Sequence, residues 1–169
     1  MIIRVSEIED DGLVVGDPAE LLAPFADRSW RLDRLRLHVA RDGDDVLVTG
    51  EIGAAVPLTC SRCLEEFRAD VRAAVDARFA PRPAGGHDRE LAADDLDLDF
   101  YENDELDLSL LVETETTLAL PMKPLCRAEC RGLCPVCGAN RNATSCTCQA
   151  RPTDPRLAAL RDLSARFNH

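Results

Sequence analysis

The sequence feature that most constrains the fold is a set of eight cysteines that fall into four close pairs. The pairs are Cys60/Cys63, Cys126/Cys130, Cys134/Cys137 and Cys146/Cys148. The first and third have C-x-x-C spacing, and a proline and a glycine favour a tight turn at the third. Zinc takes four ligands in a tetrahedron, and sites built from four cysteines are closed and structural. The cysteines therefore predict one or two structural zinc ions per chain.

The spacing favours one grouping of the cysteines and leaves others open. The local solution places Cys134, Cys137, Cys146 and Cys148 in one site, which leaves Cys60, Cys63, Cys126 and Cys130 for a second. An interleaved grouping, or one zinc with spare thiols, also agrees with the count. A structural zinc contributes about 10–16 kcal/mol of apparent binding energy in small peptides, so metal would be part of folding. Residues 126–148 hold few large apolar side chains and should not fold without it.

Other uses of cysteine agree less well with the sequence. Disulfides are rare in a reducing cytoplasm. A thiol oxidoreductase opens a helix with its C-x-x-C pair, whereas an extended pattern begins at Phe67, directly after Cys63. A zinc deaminase needs P-C-x-x-C beside H-x-E, and none of the three histidines lies two residues before a glutamate. We therefore expect a protein that is not an enzyme, with a thiol oxidoreductase as the weaker alternative.

Charge is distributed unevenly along the chain. The net charge of −11 divides into −6 over residues 1–80, −10 over 81–120 and +5 over 121–169. Phosphates would be repelled by the first two segments, which argues against nucleic-acid binding there. The acidic residues at about 81–106 form either a solvated loop or a surface for a basic partner such as a ribosomal protein. The basic C-terminal segment is the part suited to RNA, with candidate contacts at Arg127, Arg131, Arg141 and Arg151.

Hydrophobic periodicity predicts a sheet with two helices. Apolar residues occupy every odd position from Phe67 to Phe79, which indicates a long strand with one buried face. Alternation on both sides of Asp42-Gly43-Asp44 predicts a hairpin, and shorter strands are predicted at 1–5, 13–16 and 96–100. Asp107 is a candidate cap for a helix whose apolar face is Leu108, Leu111, Val112 and Leu118. Asp154-Pro155 places a cap residue and a first-turn proline at the start of a predicted C-terminal helix.

These elements predict a mixed α+β fold. We expect an antiparallel, barrel-like twisted sheet that carries a packed helix, a zinc-bound cysteine-rich segment and a C-terminal helix. Residues 1–120 would form the β-rich part, and residues 121–169 the cysteine-rich segment packed on it. No apolar run reaches the roughly 18 residues of a membrane helix, and the N-terminus lacks a secretory pattern. A cytoplasmic location with no membrane contact is the corresponding expectation.

Several motifs together resemble one known family. They are LTCSRCLEEF, DLSLLVETETTLALPMKPLC, the C-x3-C-x-G-L-C-P-V-C-G-x-N-x-N run, CTC and DPRLAAL. In order and spacing they are similar to the YceD family, over roughly residues 45–165. The resemblance implies a role in the accumulation or processing of 23S ribosomal RNA and in large-subunit assembly. The implied partners are a ribosomal protein or the pre-ribosomal large subunit. It supplies no catalytic residue, and direct RNA binding in the manner of a zinc knuckle is the main alternative.

Overall fold

The structure is a computed structural model that describes residues 1–9, 11–21, 24–83 and 98–149. Its regular elements are β1 (Ile2–Arg4), β2 (Leu13–Val15), β3 (Arg31–Asp42), β4 (Asp45–Thr59), β5 (Glu66–Pro81), β6 (Leu98–Tyr101), β7 (Glu105–Asp107) and α1 (Leu108–Leu118). Two short 3-10 turns follow β1 and β2. The two-part division at residue 120 stays a prediction.

Three long antiparallel strands form the body of the protein. Strands β3 and β4 make the hairpin predicted around Gly43, and β4 pairs with β5 along its whole length, from Val46 opposite Phe79 to Thr59 opposite Glu66. In β5 the residues Val71, Ala73, Val75 and Phe79 are buried, which confirms the alternating pattern. The length of β4 matters for the site, because the strand delivers the chain directly to Cys60.

The five-stranded sheet is open and mixed rather than a closed antiparallel barrel. Its order is β2-β3-β4-β5-β6, and β6 runs parallel to β5, which corrects the prediction of a fully antiparallel sheet. A parallel pair needs a crossover of a dozen or more residues, and residues 82–97 are long enough to supply it. The strand predicted at 96–100 is confirmed as β6, and β7 follows it within the acidic region. Residues 84–97 lie outside the described ones.

A second, two-stranded sheet and α1 cover one face of the large sheet. Strand β1 pairs with β7, and α1 begins immediately afterwards with Asp107 as its cap, whose carboxylate accepts a hydrogen bond from the Ser109 N–H at 2.9 Å. The helix buries Leu108, Leu111 and Val112 as predicted. Leu118, predicted on the same face, is instead 73% exposed. It is the last helical residue, two positions beyond the last buried one, so the contact with the sheet ends before it.

The cysteine segment follows α1 without regular secondary structure up to residue 149. The predicted C-terminal helix, with its apolar residues Leu157, Leu160 and Leu163, lies outside the described residues. Across the described part of the chain, no helix is long and apolar enough to cross a membrane.

Candidate metal centres

The structure brings the eight cysteines into two groups of four. We call Cys60, Cys63, Cys126 and Cys130 the inner cluster, and Cys134, Cys137, Cys146 and Cys148 the outer cluster. Within each cluster the sulfur atoms all lie within 4.8 Å of one another. These are the same two groups that the spacing favoured, and none of the eight forms a disulfide. Each cluster can hold one metal ion.

The sulfur separations in the inner cluster suit a tetrahedral metal site. The Sγ atoms of Cys60 and Cys130 are 3.8 Å apart, and those of Cys63 and Cys126 are 3.7 Å apart. A zinc–sulfur bond of about 2.3 Å implies a tetrahedral edge of about 3.8 Å, whereas a disulfide would hold the sulfurs at about 2.05 Å. The donor set of four thiols and its spacing therefore fit a zinc-sized, thiophilic ion.

Both C-x-x-C pairs adopt the same backbone turn. In the inner cluster the N–H of Leu64 donates to the Cys60 carbonyl, and the N–H of Cys60 donates to the Glu65 carbonyl, both at 2.9 Å. In the outer cluster Gly138 donates to Cys134 at 2.9 Å, and Cys134 donates to Ala139 at 2.8 Å. The residue after each second cysteine has a positive φ, 60° at Leu64 and 73° at Gly138. The two turns are therefore structural repeats that present a pair of thiols to one point.

The inner turn is held against the cysteine segment by its own backbone and by one arginine. The N–H of Ser61 donates to the Pro124 carbonyl at 2.8 Å, and the N–H of Leu133 donates to the Arg62 carbonyl at 3.0 Å. The Arg62 guanidinium donates to the carbonyl of Cys130 at 3.0 Å. Cys60, Cys63 and Cys130 are buried in a small core, separate from the main one, with Phe67 and Leu125 packed against it.

The outer cluster is much more accessible than the inner one. Cys134 is buried, Cys146 is half-buried, and Cys137 and Cys148 are exposed. A short bridge between Leu133 and Asn140 closes the base of the outer turn. The two clusters thus share a donor chemistry but differ in their access to solvent.

Backbone donors favour the thiolate form at one cysteine of each turn. Hydrogen bonds from the Cys126 N–H and from N–H groups of the turn lower the pKa of the Cys60 thiol to about 6. The Cys137 and Val136 N–H groups likewise lower the pKa of Cys134 to about 6. In the inner turn the second thiol, Cys63, carries the proton. Although the Glu65 N–H donates to Cys63, burial and the neighbouring thiols raise its pKa to about 12. A cation that neutralises several thiolates removes this conflict.

Asparagine and glycine residues that sequence analysis did not single out complete the centre. The Asn142 Oδ1 accepts from the Arg131 N–H at 2.8 Å, and the Asn142 Nδ2 donates to the Cys130 Sγ at 3.3 Å. Gly132 is buried with φ of 66°, and a Cβ there would lie 2.9 Å from the Arg62 carbonyl oxygen. For Asn142 the available signal was the G-x-N-x-N run between Cys137 and Cys146, because polar side chains beside metal ligands commonly form hydrogen bonds to them.

The arginines predicted to contact RNA are only partly described. Arg127, Arg131 and Arg141 are exposed, and Arg151 lies outside the described residues. Arg127 and Arg131 line a shallow cleft of about 400 Å³ together with Glu129 and Asn142. The structure therefore brings two of the four predicted arginines to one place, beside the inner cluster.

The fold and these clusters define a class of protein, an open β-sheet protein with two four-cysteine centres that can each hold a metal ion. Residues 48–164 match the family described as "Large ribosomal RNA subunit accumulation protein YceD". The chain belongs to the YceD family, as its motifs predicted.

Curated relatives support this assignment. An uncharacterized protein of Mycobacterium tuberculosis is 36% identical over 119 residues, which cover 70% of this chain and 55% of the relative. A protein of Zea mays named "Large ribosomal RNA subunit accumulation protein YCED homolog 1, chloroplastic" is 27% identical over 140 residues, covering 68% of this chain and 48% of the relative. The chain spans about half the length of the curated relatives it matches. No solved structure matches it.

Proposed function

We propose that the protein is a non-catalytic factor for the accumulation of 23S ribosomal RNA, and that two zinc ions brace it. The observation that carries the proposal is the family match over residues 48–164. Two complete four-cysteine clusters support the zinc part, because zinc takes four thiolate ligands in a tetrahedron. Such closed sites leave no position for substrate or water, which supports a non-catalytic role. The proposal places the protein in the cytoplasm, with the assembling large subunit as its partner.

The charge distribution supports a division of labour in this role. The region 81–120 has a net charge of −10 and suits a basic ribosomal protein, whereas 121–169 has a net charge of +5 and suits RNA. The two clusters fix residues 126–148, which form no helix or strand of their own. Zinc would therefore act by holding this cysteine-rich segment against the sheet.

Metal content and ribosomal RNA levels test the proposal. The purified full chain should contain two zinc ions and no thiol that reacts rapidly with Ellman's reagent. Replacing the gene with Cys63→Ser or Cys137→Ser should lower the ratio of 23S to 16S ribosomal RNA. Ser61→Ala, inside the inner turn but outside the cluster, should leave the ratio unchanged. Normal ribosomal RNA in both cysteine variants would reject the role of the clusters, and normal RNA in a deletion strain would reject the function.

Direct RNA binding is the second candidate, and the placement of Arg127 and Arg131 in one cleft favours it. Binding to 23S RNA fragments should weaken steeply with salt, because each phosphate contact releases counterions. The double variant Arg127→Gln/Arg131→Gln should reduce both the affinity and the slope of the salt dependence. Arg36→Gln/Arg68→Gln, on the exposed surface of the sheet, is the matched control. Equal affinity for the two double variants would reject this candidate.

A thiol oxidoreductase remains the weaker alternative. After Cys63 the chain turns at Leu64 and enters β5 at Glu66, so the C-x-x-C pair does not open a helix as a thioredoxin-type pair does. Turnover of a disulfide substrate by the metal-loaded chain, lost in Cys137→Ser, would overturn the non-catalytic proposal.

A further inference from the structure

A groove lies between α1 and the strands β6 and β7, away from the cysteine clusters. It encloses about 460 Å³. Three of its lining residues are apolar and exposed, Ile2 at 60%, Phe100 at 40% and Leu110 at 63%. Single exposed apolar side chains are common on proteins, but a set that lines one groove indicates a binding surface. An occupant that covered these three side chains would remove apolar surface from water.

The charged residues of the groove are almost all acidic. Asp99, Glu102, Glu105, Asp107 and Glu115 line it, and Arg82 is the only basic residue among the described lining residues. Arg82 already pairs with Glu102 at 2.6 Å. Nucleic-acid phosphates would be repelled by this surface. A second copy of the chain would bring the same acidic rim, so a homodimer at this face would oppose like charges.

We propose that this groove binds a basic amphipathic segment of a protein partner. Apolar side chains of the segment would cover Ile2, Phe100 and Leu110, and its lysine or arginine side chains would face Asp99, Glu105 and Glu115. Recognition through an apolar face laid into a groove is a recurring mode of peptide binding. The inference rests on the proposed function in one respect: it takes the partner from the basic proteins of the large ribosomal subunit.

Charge complementarity gives the interaction a defined signature. Acidic rims attract basic partners over a distance and speed their association, and salt screens this attraction. The apolar contacts do not weaken with salt in the same way. Binding should therefore decrease with ionic strength and also depend on Leu110 at constant ionic strength.

A photo-crosslinking experiment tests the proposal on the zinc-loaded full chain. The Leu110→p-benzoylphenylalanine variant is irradiated with the purified total protein of the large ribosomal subunit. The matched control carries the same group at Val14, an apolar residue of β2 that is 65% exposed and outside the groove. We expect the probe at position 110 to capture a lysine- and arginine-rich segment with apolar residues at helical spacing, and the probe at 14 to capture none. Adding Glu105→Lys should reduce the capture about tenfold, as should raising KCl from about 50 to about 500 mM.

Three outcomes would overturn the proposal. They are equal labelling at positions 110 and 14, a crosslink from position 110 within the chain or to a second copy, and capture that Glu105→Lys leaves unchanged. Ribosomal RNA levels separate this failure from failure of the proposed function. If one of these three outcomes is found while Cys63→Ser lowers 23S RNA, the groove proposal fails and the function stands. If deletion of the gene leaves 23S RNA normal, the function fails whatever the groove binds.

Discussion

Asn142 donates a hydrogen bond from its Nδ2 to the Cys130 Sγ at 3.3 Å, so a residue of the outer loop supports a thiol of the inner cluster. Asn142 lies between Cys137 and Cys146, in the loop that the outer cluster closes. Its Oδ1 also accepts from the Arg131 N–H next to Cys130. The two centres are therefore joined through one side chain, and metal in the outer cluster should favour metal in the inner one.

Asn142→Ala should weaken metal binding at the inner cluster about 10- to 100-fold, the usual effect of losing a partner of a ligand. The hydrogen bond to Cys130 stabilises the thiolate and lowers the pKa of that thiol, so its loss favours the protonated form. Competition with a chromophoric zinc chelator measures the affinity. Ser145→Ala, in the same loop, is the control and should be silent. Equal affinities for the two variants would show that the hydrogen bond does not couple the clusters.

Gly132→Ala should destabilise the protein more than Gly138→Ala does. Both glycines have a positive φ, 66° and 73°, so alanine costs about 1–2 kcal/mol of backbone strain at either site. A Cβ at Gly138 would meet open space, whereas one at Gly132 would lie 2.9 Å from the Arg62 carbonyl oxygen. Thermal unfolding of the metal-loaded variants compares the two costs. A Tm loss at Gly132→Ala no larger than at Gly138→Ala would mean that the contact relaxes freely.

Leu64→Gly should raise the stability of the inner turn. Leu64 occupies the position of Gly138 in the repeated turn, with φ of 60°, and its side chain is 64% exposed. Removing the left-handed strain at this position stabilises the folded chain. This gain exceeds, by roughly 0.5–1 kcal/mol, the free-energy cost of the extra conformational freedom that glycine gives the unfolded chain. We expect Tm to rise by about 1–4 °C for a chain of this length. A lower Tm would show that contacts of the Leu64 side chain stabilise the protein by more than its backbone strain destabilises it.

The outer cluster should lose its metal to a chelator before the inner cluster does. Cys137 and Cys148 are exposed, whereas Cys60, Cys63 and Cys130 are buried. A chelator reaches the outer ion directly but needs local opening to reach the inner one. Zinc release into EDTA should therefore have two phases. Cys137→Ser should abolish the faster phase and Cys63→Ser the slower one, and a single phase in the parent protein would contradict this order.

Acid should release the metal with a midpoint below pH 6. Protons compete with the ion for thiolates, so affinity falls as pH falls. Without metal, N–H donors already lower the pKa of Cys60 and of Cys134 to about 6, and a bound cation lowers thiol pKa values further. These thiols have depressed folded-state pKa values, so their stabilisation is present at high pH and is lost as pH falls. Zinc content after dialysis across pH 4.5–8 provides the test, and a midpoint above pH 7 would contradict it.

The sequence by itself determined the features that depend on local periodicity and spacing. The alternating apolar residues of β5 define a buried face whatever the rest of the chain does, and Asp107 caps α1 through its nearest N–H groups. The grouping of Cys134 with Cys148 follows because few residues separate them. The conformation of each of these features is set mainly by residues close to it in the sequence.

Tertiary structure alone decided the features that depend on distant segments meeting. The parallel pairing of β6 with β5 joins two strands that a long stretch of sequence separates, and the exposure of Leu118 follows from where the sheet contact of α1 ends. Cys60 meets Cys130 across 70 residues because β4 ends beside the cysteine segment. The same meeting of segments places Gly132 against the Arg62 carbonyl and lets Asn142 donate to the Cys130 Sγ. No local pattern encodes these contacts, since each depends on how the backbone of another segment is placed.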